Sequence, residues 1–322
     1  MKYIDFLLKK RYSRNVVIPA LKKLGFENKA QKLEECGNFK RLAVCKKCGC
    51  IHYNGANSCK DRFCPVCQKK RALLWILKVY PIFEDLISRG YIVNFITLTV
   101  PDGDNLKERL NILNNSFRYM LHENSKSRYS FNNIYLGGIR SLEVKKGRFS
   151  NLWHPHLHML VVKKIKTDFR EDRKLLTEAW ANALTKTTGI YHSPQKVIID
   201  IKSLYLVDKI TGQKKYSKFA ILKACLEVFK YLVKSNFEEL ACKELIKTMS
   251  SIRGINPWGN VRYLLHDKNI ELTIEHELDM SENELSDKVC AICGNDDFIQ
   301  IKNVGVYGQK IYDLKNKKTE VN

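Results

Sequence analysis

Residues 153–162 read WHPHLHMLVV, and polar and apolar side chains alternate through the middle of this stretch. A β-strand points successive side chains to opposite faces, so the alternation predicts a strand. His156 and His158 then share one face, while Leu157 and Met159 enter the core. Two imidazoles on one face form a platform for a divalent metal ion. A lone histidine would more simply be a hydrogen-bonded core residue, but three of the eight histidines lie here at alternate positions.

Two further residues are candidates for the same metal site. His154 is either a third ligand or a residue at the strand entrance, where Pro155 disrupts pairing. Glu143 lies on the preceding predicted strand, and its carboxylate would complete a site for Mg²⁺ or Mn²⁺. Whether Glu143 faces the histidines depends on strand register, which the sequence does not fix. The alternative for Glu143 is an exposed carboxylate at the end of a strand.

The elements around this strand follow the order β-α-β-β-α-β and end with another helix. Strands are predicted from β-branched and aromatic residues, and helices from apolar residues at helical spacing. This order predicts an α+β, ferredoxin-like (split βαβ) domain with one antiparallel sheet and two helices on one face. The predicted strands are 91–100, 134–144, 153–162 and 197–207, and the predicted helices are 104–121, 168–186 and 218–234.

Seven of the eleven cysteines lie between Cys36 and Cys67, in a stretch rich in glycine and polar residues. Cys45-x2-Cys48 and Cys64-x2-Cys67 have the spacing of two hairpins that share one tetrahedral Zn²⁺. We therefore predict a structural zinc module, with the final set of four ligands left open. Buried apolar cysteines are the alternative. The other candidates, as substitutes or as ligands of a second ion, are Cys36, Cys50, His52 and Cys59.

Cys290-x2-Cys293 is an isolated pair near the end of the chain. A metal site there needs two more ligands, for which His266 and His276 are candidates. The start of the chain has no signal-peptide pattern, so we expect a cytoplasmic protein. In a reducing compartment its cysteines are expected to be thiols or metal ligands rather than disulfides.

The chain has 322 residues and carries 56 Lys and Arg against 34 Asp and Glu, a formal net charge of +22. Such an excess favours a nucleic acid as partner over a membrane surface, with a merely soluble basic protein as the alternative. No run of residues is apolar enough to span a membrane. Basic residues flank the cysteines and are predicted to contact the DNA backbone: Lys60, Arg62, Lys69, Lys70 and Arg71. Lys230, further along the chain, is predicted to contact it as well.

Composition divides the chain into four segments. Residues 1–35 form a basic helical segment, in which a helix around 15–32 is a candidate for phosphate contacts. Residues 36–70 form the zinc-binding module, and residues 71–236 carry the predicted sheet and helices. Residues 237–322 form a C-terminal helical region that ends in the Cys-x2-Cys tail.

One predicted helix carries a possible nucleophile. Glu227, Tyr231 and Lys234 are spaced so that they share one helix face. A phenol is a weak nucleophile, so Lys230 or Lys234 and a metal ion would have to favour the charge that develops during the reaction. An amphipathic surface helix is the alternative for this segment taken alone.

Taken together, these motifs resemble the rolling-circle replication initiators of small plasmids, the single-tyrosine branch of the HUH endonucleases. FITLTV at 95–100 resembles their first motif, and HPHLHML at 154–160 resembles their metal motif. Glu227-x3-Tyr231-x2-Lys234 resembles their catalytic helix. The cysteine block CKDRFCPVC at 59–67 resembles one that precedes the first motif in this branch.

The resemblance implies a metal-dependent, site-specific DNA endonuclease that nicks one strand of a plasmid origin. Tyr231 would attack the phosphodiester, become joined to the 5′ phosphate and leave a 3′-OH primer. His156 and His158 would hold the divalent ion, and Glu227 would activate the water that ends the cycle. Single-stranded DNA at the nick site, the double-stranded origin, a host helicase and a DNA polymerase are the implied partners.

Two other functions stay open at this stage. An HUH transposase would use the same chemistry, but such enzymes often carry two tyrosines about one helical turn apart, and here Phe229 precedes Tyr231. A relaxase is less well matched, because its tyrosine usually lies near the N-terminus. A non-catalytic zinc-ribbon DNA-binding regulator would explain the charge and the cysteines, but it would leave the histidines and Tyr231 without a role.

Overall fold

The structure is a computed structural model of the 322-residue chain. It describes residues 3–37, 40–122, 131–147, 149–163, 169–207, 214–229, 237–268, 290, 292–303 and 309–313. The chain divides into two compact units. Unit 1 comprises Met1–Arg71, Glu238–Lys243 and Leu272–Asn322, and unit 2 comprises Ala72–Phe237 and Glu244–Glu271. The boundaries of the four segments expected from composition stay a prediction.

The helices and strands have the following bounds. The helices are α1 (Tyr3–Tyr12), a π-helical turn (Ser13–Val17), α2 (Ile18–Lys23), α3 (Glu27–Glu35), α4 (Pro65–Ser88), α5 (Leu106–His122), α6 (Phe131–Ile134), α7 (Phe169–Thr188), α8 (Lys218–Phe229), α9 (Glu239–Met249) and α10 (Gly259–Asp267). The strands are β1 (Lys40–Cys45), β2 (Ile51–Ala56), β3 (Ile92–Thr99), β4 (Tyr135–Lys146), β5 (Trp153–Lys163), β6 (Ile199–Ser203), β7 (Tyr205–Val207), β8 (Lys214–Tyr216), β9 (Ile255–Trp258), β10 (Phe298–Asn303) and β11 (Gln309–Asp313).

Unit 2 is built on a five-stranded sheet in the order β6-β3-β5-β4-β9. Every neighbouring pair in it is antiparallel. Its first four strands correspond to the predicted ones, arranged as the split βαβ pattern requires, with β5 inserted between β3 and β4. The strand predicted at 197–207 is divided, however: only β6 joins this sheet, and β7 pairs with β8 in a separate two-stranded sheet. The α+β, ferredoxin-like prediction is therefore confirmed, and β9 is an added edge strand.

Helices α5 and α7 pack against each other, and they contact β5 and β6 respectively. The core face of α5 is apolar at helical spacing, with Leu106, Leu110 and Leu113 fully buried. From α7, the indole N–H of Trp180 donates a hydrogen bond of 2.8 Å to the Thr99 carbonyl at the end of β3. These contacts hold β3 and β5, the strands that flank the predicted metal site. A third helix, α8, contacts β5 and β4.

In unit 1 the predicted helix at 15–32 is two helices separated by a turn. Helix α2 ends where the Phe26 N–H donates to the Leu21 carbonyl (3.0 Å) and the Gly25 N–H donates to the Lys22 carbonyl (2.9 Å). Gly25 adopts a φ of +79°, a conformation that favours glycine at a helix C-terminus. A single continuous helix was therefore the wrong prediction, because Gly25 ends it.

A second, four-stranded sheet in unit 1 has the order β11-β10-β1-β2. Strand β10 pairs antiparallel with β1, with Cys45 opposite Phe298, and it pairs with β11 on its other edge. The C-terminal strands therefore extend the N-terminal hairpin into one sheet. Among the described residues no helix combines the length and the apolar character that crossing a bilayer requires.

Candidate metal and DNA-processing site

The candidate site lies on the strands β3, β4 and β5. In the register of β4 and β5, Glu143 stands directly opposite His156. In the register of β3 and β5, Thr97 stands opposite His158. Residues that face each other across antiparallel strands project to the same side of the sheet. The register that sequence could not fix therefore brings Glu143 and Thr97 to the face that carries His156 and His158.

The Glu143 carboxylate contacts both histidines. Its Oε2 lies against His156 Nε2 and 3.0 Å from His158 Nε2. Glu143 and His156 are buried, with exposed fractions of 8% and 2%, and His158 is half-buried. One ligand atom from each residue lies within 4.8 Å of the others, so these residues could hold a metal ion. Two imidazole nitrogens and a carboxylate are a donor set that divalent cations accept.

Neighbouring residues hold the His158 ring in place. The Thr97 hydroxyl lies 3.0 Å from His158 Nδ1, which leaves Nε2 to face the carboxylate. Phe95 stacks on the same ring, with centroids 5.7 Å apart. A hydrogen bond at one imidazole nitrogen fixes which nitrogen is available as a ligand. Sequence analysis did not single out Thr97, although its alternation with Phe95 on β3 was visible.

The environment of His156 shifts its protonation equilibrium towards the neutral imidazole. Burial lowers the pKa of this imidazole, and the opposing effect of the Glu143 carboxylate does not cancel that shift. A neutral imidazole has the free nitrogen lone pair that a metal ion requires. His156 Nδ1 is buried, and among the described residues it has no hydrogen-bond partner.

His154 is not part of this group. Its Nδ1 faces the Asp102 carboxylate, which also accepts a hydrogen bond of 2.6 Å from the Ser150 hydroxyl. Desolvation raises the pKa of Asp102, but these hydrogen bonds outweigh it and lower the pKa. Of the two alternatives for His154, the structure favours the strand entrance. Pro155 is tolerated there because the pairing of β3 with β5 ends at His156, so Pro155 has only β4 beside it.

The predicted catalytic helix is described only in part. Helix α8 ends at Phe229, and Glu227 lies half-buried on it. Lys230, Tyr231 and Lys234 lie outside the described residues. The nucleophile and the two lysines therefore stay predictions.

The cysteines form two clusters that differ from the predicted pairing. Cys64 and Cys67 gather with Cys36 and Cys59, whereas Cys45 and Cys48 gather with the tail cysteines Cys290 and Cys293. The prediction that Cys45-x2-Cys48 and Cys64-x2-Cys67 share one ion was wrong. Spacing shows which cysteines form a pair, but only the chain path decides which pairs meet.

The same arrangement corrects the ligands expected for the tail. His266 is exposed on α10 in unit 2. The residues that gather with Cys290 and Cys293 are instead Cys45 and Cys48. His276 lies outside the described residues, as does the side chain of His52. The structure also joins Cys48 and Cys50 as a disulfide, which departs from the expectation that all cysteines are thiols or metal ligands.

The first cluster lies at the start of α4, with Cys36, Cys64 and Cys67 buried and Cys59 half-buried. The Sγ atoms of Cys36 and Cys59 lie 3.5 and 3.7 Å from that of Cys67. Hydrogen bonds from Cys36, Cys59 and Cys64 lower the pKa of Cys67. Four sulfurs around Zn²⁺, each about 2.3 Å from the metal, would be about 3.8 Å apart, so the cluster could hold such an ion.

The predicted DNA-binding residues surround this first cluster. Lys60 and Lys69 are exposed, whereas Arg62, Lys70 and Arg71 are half-buried. Arg71 donates a hydrogen bond of 3.1 Å to the Lys60 carbonyl. The cysteine loop is tied to α3 by an ion pair of 3.0 Å between Lys29 and the buried Asp61. The predicted DNA-binding residues thus lie on the cysteine-rich loop and on the start of α4.

Glu244 of α9 supports the start of β5, a role that sequence analysis missed. Its carboxylate accepts hydrogen bonds of 2.9 Å from the Leu106 N–H, at the first turn of α5, and from the Trp153 indole N–H. A carboxylate at a helix N-terminus satisfies an otherwise unpaired N–H group. Nothing in the local sequence pattern around Glu244 indicates either contact.

Comparison with known proteins identifies the family to which this chain belongs. A family model for replication proteins, Rep_1, matches residues 51–295. A Protein rep from Staphylococcus aureus is 28% identical over 198 residues, covering 58% of this chain and 83% of that relative. A Protein rep from Bacillus amyloliquefaciens is 26% identical over 273 residues, covering 82% of this chain and 77% of that relative. No solved structure matches this chain. The chain therefore belongs to the Rep_1 replication protein family, in agreement with the plasmid rolling-circle replication initiators that its motifs resemble.

Proposed function

We propose that this protein initiates rolling-circle replication by nicking one strand of a plasmid origin through a covalent 5′-phosphotyrosine intermediate. The observation that carries this proposal is the group of Glu143, His156 and His158, which lies on adjacent strands in a replication protein. A purely structural role would not require two imidazoles and a carboxylate to converge on one point inside the sheet.

The donor set fits a divalent ion such as Mg²⁺ or Mn²⁺. Glu143, His156 and His158 would hold it, because one ligand atom from each lies within 4.8 Å of the others and the Thr97 hydroxyl orients the His158 ring. When bound, such an ion supplies Lewis-acid polarisation and positioning of the scissile phosphate. Their placement on β4 and β5 of a packed sheet keeps the donors in a fixed relation, which favours positioning of the DNA.

Tyr231 is proposed as the nucleophile. Its phenolic oxygen forms a bond to phosphorus, the bond from phosphorus to the 3′ oxygen breaks, and that oxygen takes up a proton to become the 3′-OH primer. Lys230 or Lys234 would favour the charge that develops on the phenol or the leaving group. Support comes from α8, which contacts the two strands that carry Glu143 and the histidines and ends two residues before Tyr231.

Glu227 is proposed to act last. It lies four residues before Tyr231 in the sequence, so we propose it as the general base for a water molecule that attacks the phosphotyrosine link. That attack breaks the bond between phosphorus and the phenolic oxygen and releases the protein.

Recognition of DNA is assigned to unit 1. The cluster of Cys36, Cys59, Cys64 and Cys67 is proposed to bind a structural Zn²⁺. The basic residues of the adjoining loop would then lie along the phosphates of the double-stranded origin. A host helicase and a DNA polymerase would extend the 3′-OH.

The test is Tyr231→Phe in a nicking assay with origin-bearing supercoiled DNA and Mn²⁺. The variant is expected to bind the DNA and to lose nicking, whereas Tyr191→Phe, at an exposed tyrosine of unit 2, keeps both. Mass spectrometry of the wild-type reaction should identify a peptide that contains Tyr231 joined to an oligonucleotide. Nicking by Tyr231→Phe would contradict the proposal. Failure of the wild-type protein to nick with every divalent ion would instead favour a non-catalytic DNA-binding regulator.

A further inference from the structure

A second cysteine cluster brings together residues from opposite ends of the chain. Cys45 and Cys48 come from the turn between β1 and β2, and Cys290 and Cys293 come from the segment before β10. The Sγ atoms of Cys45 and Cys293 lie 3.5 Å apart, and those of Cys48 and Cys290 lie 3.6 Å apart. These distances are close to the roughly 3.8 Å expected between thiolates around one Zn²⁺ ion.

The two pairs are presented by the same local backbone. Each pair is a Cys-x2-Cys followed by a glycine, Gly49 in one case and Gly294 in the other, with φ of +70° and +68°. The Gly49 N–H donates to the Cys45 carbonyl at 2.8 Å, and the Gly294 N–H donates to the Cys290 carbonyl, also at 2.8 Å. Two stretches from distant parts of the sequence thus form matching turns. Each turn brings its two sulfur atoms to the same centre.

Contacts around the cluster hold the two turns together. The Lys46 N–H donates to the Asp297 carbonyl at 3.0 Å, and the two side chains form an ion pair of 3.2 Å. The Asn295 amide donates to the Cys45 sulfur at 3.6 Å.

We propose that Cys45, Cys48, Cys290 and Cys293 of the reduced chain bind a Zn²⁺ ion that fastens the C-terminal strands to the N-terminal hairpin. The sheet order β11-β10-β1-β2 gives this ion its structural role, since β10 pairs with β1 of the hairpin. An ion at the base of both turns would lock that pairing and close the chain between residues 48 and 290. Closure of so long a loop costs conformational entropy, which metal binding offsets.

Cys50 distinguishes two states of this centre. Its Sγ lies 3.6 Å from that of Cys290, and it is joined to Cys48 as a disulfide in the structure. A disulfide sulfur is not a thiolate, so this bond and ligation by Cys48 exclude each other. Reduction by a phosphine such as TCEP adds two electrons and two protons and yields two thiols. Each thiol that then ligates zinc releases its proton.

The experiment counts zinc in the full chain, purified with TCEP and dialysed to remove weakly bound metal. The wild-type protein is expected to hold one zinc ion more per chain than the Cys290→Ser/Cys293→Ser variant. Cys50→Ser, the matched control, should hold as many as the wild type. Equal zinc content in the double variant and the wild type would overturn the proposal, and loss of one ion from Cys50→Ser would overturn the ligand assignment. Any ion at the Glu143 group contributes equally to all three proteins.

Cobalt substitution of the wild-type chain keeps the test independent of how the variants fold. If both cysteine clusters bind metal, the thiolate-to-Co²⁺ absorption at saturation is expected to correspond to eight Co–S bonds per chain. Proteolysis within residues 290–322 should also be slower in the metal-bound chain than in the metal-free chain. Absorption from only four such bonds, with unchanged proteolysis of the tail, would contradict the proposal. Neither the cobalt absorption nor the proteolysis depends on nicking. Failure of this proposal can therefore be distinguished from failure of the Tyr231 test.

Discussion

Glu143 on β4 and His156 on β5 face each other across two antiparallel strands, and the carboxylate contacts the imidazole Nε2. His158, two residues further along β5, reaches the same carboxylate oxygen at 3.0 Å. The whole group therefore depends on one register between two strands. A shift by one residue would turn Glu143 to the opposite face of the sheet, and its carboxylate would no longer face His156 and His158.

Replacing Glu143 by Gln is expected to weaken Mn²⁺ binding more than the roughly 10–100-fold that loss of an outer-shell partner costs. The change keeps the shape of the side chain but removes the only negative charge among the three donors. Isothermal titration calorimetry measures the affinity, and Glu178→Gln, at an exposed position of α7, is the control. Unchanged affinity in Glu143→Gln would remove this carboxylate from the metal site.

Thr97→Val is expected to weaken Mn²⁺ binding by about 10–100-fold, because His158 loses the partner that orients its ring. The matched control is Thr99→Val on the same strand, since the Thr99 hydroxyl bonds to the Ile198 carbonyl instead of a histidine. Manganese titrations of both variants give the comparison. Similar losses in both would show that the effect comes from the strand and not from the hydrogen bond to His158.

Glu227→Ala is expected to nick origin DNA but to accumulate protein joined to DNA, because no general base remains to activate the terminating water. Denaturing gels that separate free from DNA-linked protein measure this directly. Lys223→Ala, at an exposed position of the same helix, should release DNA as the wild type does. If Glu227→Ala releases DNA at the normal rate, another group performs this step.

Glu244→Ala is expected to destabilise unit 2 by about 1–3 kcal/mol, since it leaves the Leu106 N–H and the Trp153 indole N–H without their acceptor. Both donor residues are buried, so water cannot readily replace the carboxylate. Thermal unfolding should show a lower Tm. Lys247→Ala, exposed on the same helix, is expected to change stability by no more than about 0.5 kcal/mol. An equal Tm for both variants would refute this role of Glu244.

Lys60→Ala and Lys69→Ala are each expected to weaken binding to the double-stranded origin and to reduce its dependence on salt. Loss of one phosphate contact lowers the slope of log K against log salt concentration by about 0.9. Filter-binding titrations at several salt concentrations provide the slope. Lys174→Ala, exposed on α7 in unit 2, should leave it unchanged. A slope unaltered by both substitutions would place the DNA contacts elsewhere.

Local pattern was enough to predict most of unit 2. The alternation around His156 and the spacing of apolar residues in α5 depend on near neighbours in the chain, so a strand and a helix could be assigned from sequence. The order of those elements then predicted the antiparallel sheet, which the structure confirms. Strand β9 was missed because INPW at 255–258 has too little strand character to stand out.

Long-range pairings could not be obtained in this way. Cys45 and Cys48 are closer in sequence to Cys64 than to Cys290, yet they meet the tail cysteines because β10 pairs with β1. Asp102 and Glu244 likewise act on β5 from distant segments. Their partners are set by how the elements pack, and no short-range pattern encodes that packing.

The sequence by itself determined the chemistry that is available: paired histidines on one strand face, paired cysteines in turns, and an excess of positive charge. Tertiary structure decided which of these groups meet, namely Glu143 with the histidines and each cysteine pair with its distant partner. The physical reason is that side-chain direction follows from backbone periodicity over a few residues. Strand register and the path of the chain are instead determined by the free energy of the whole molecule, to which every packed element contributes.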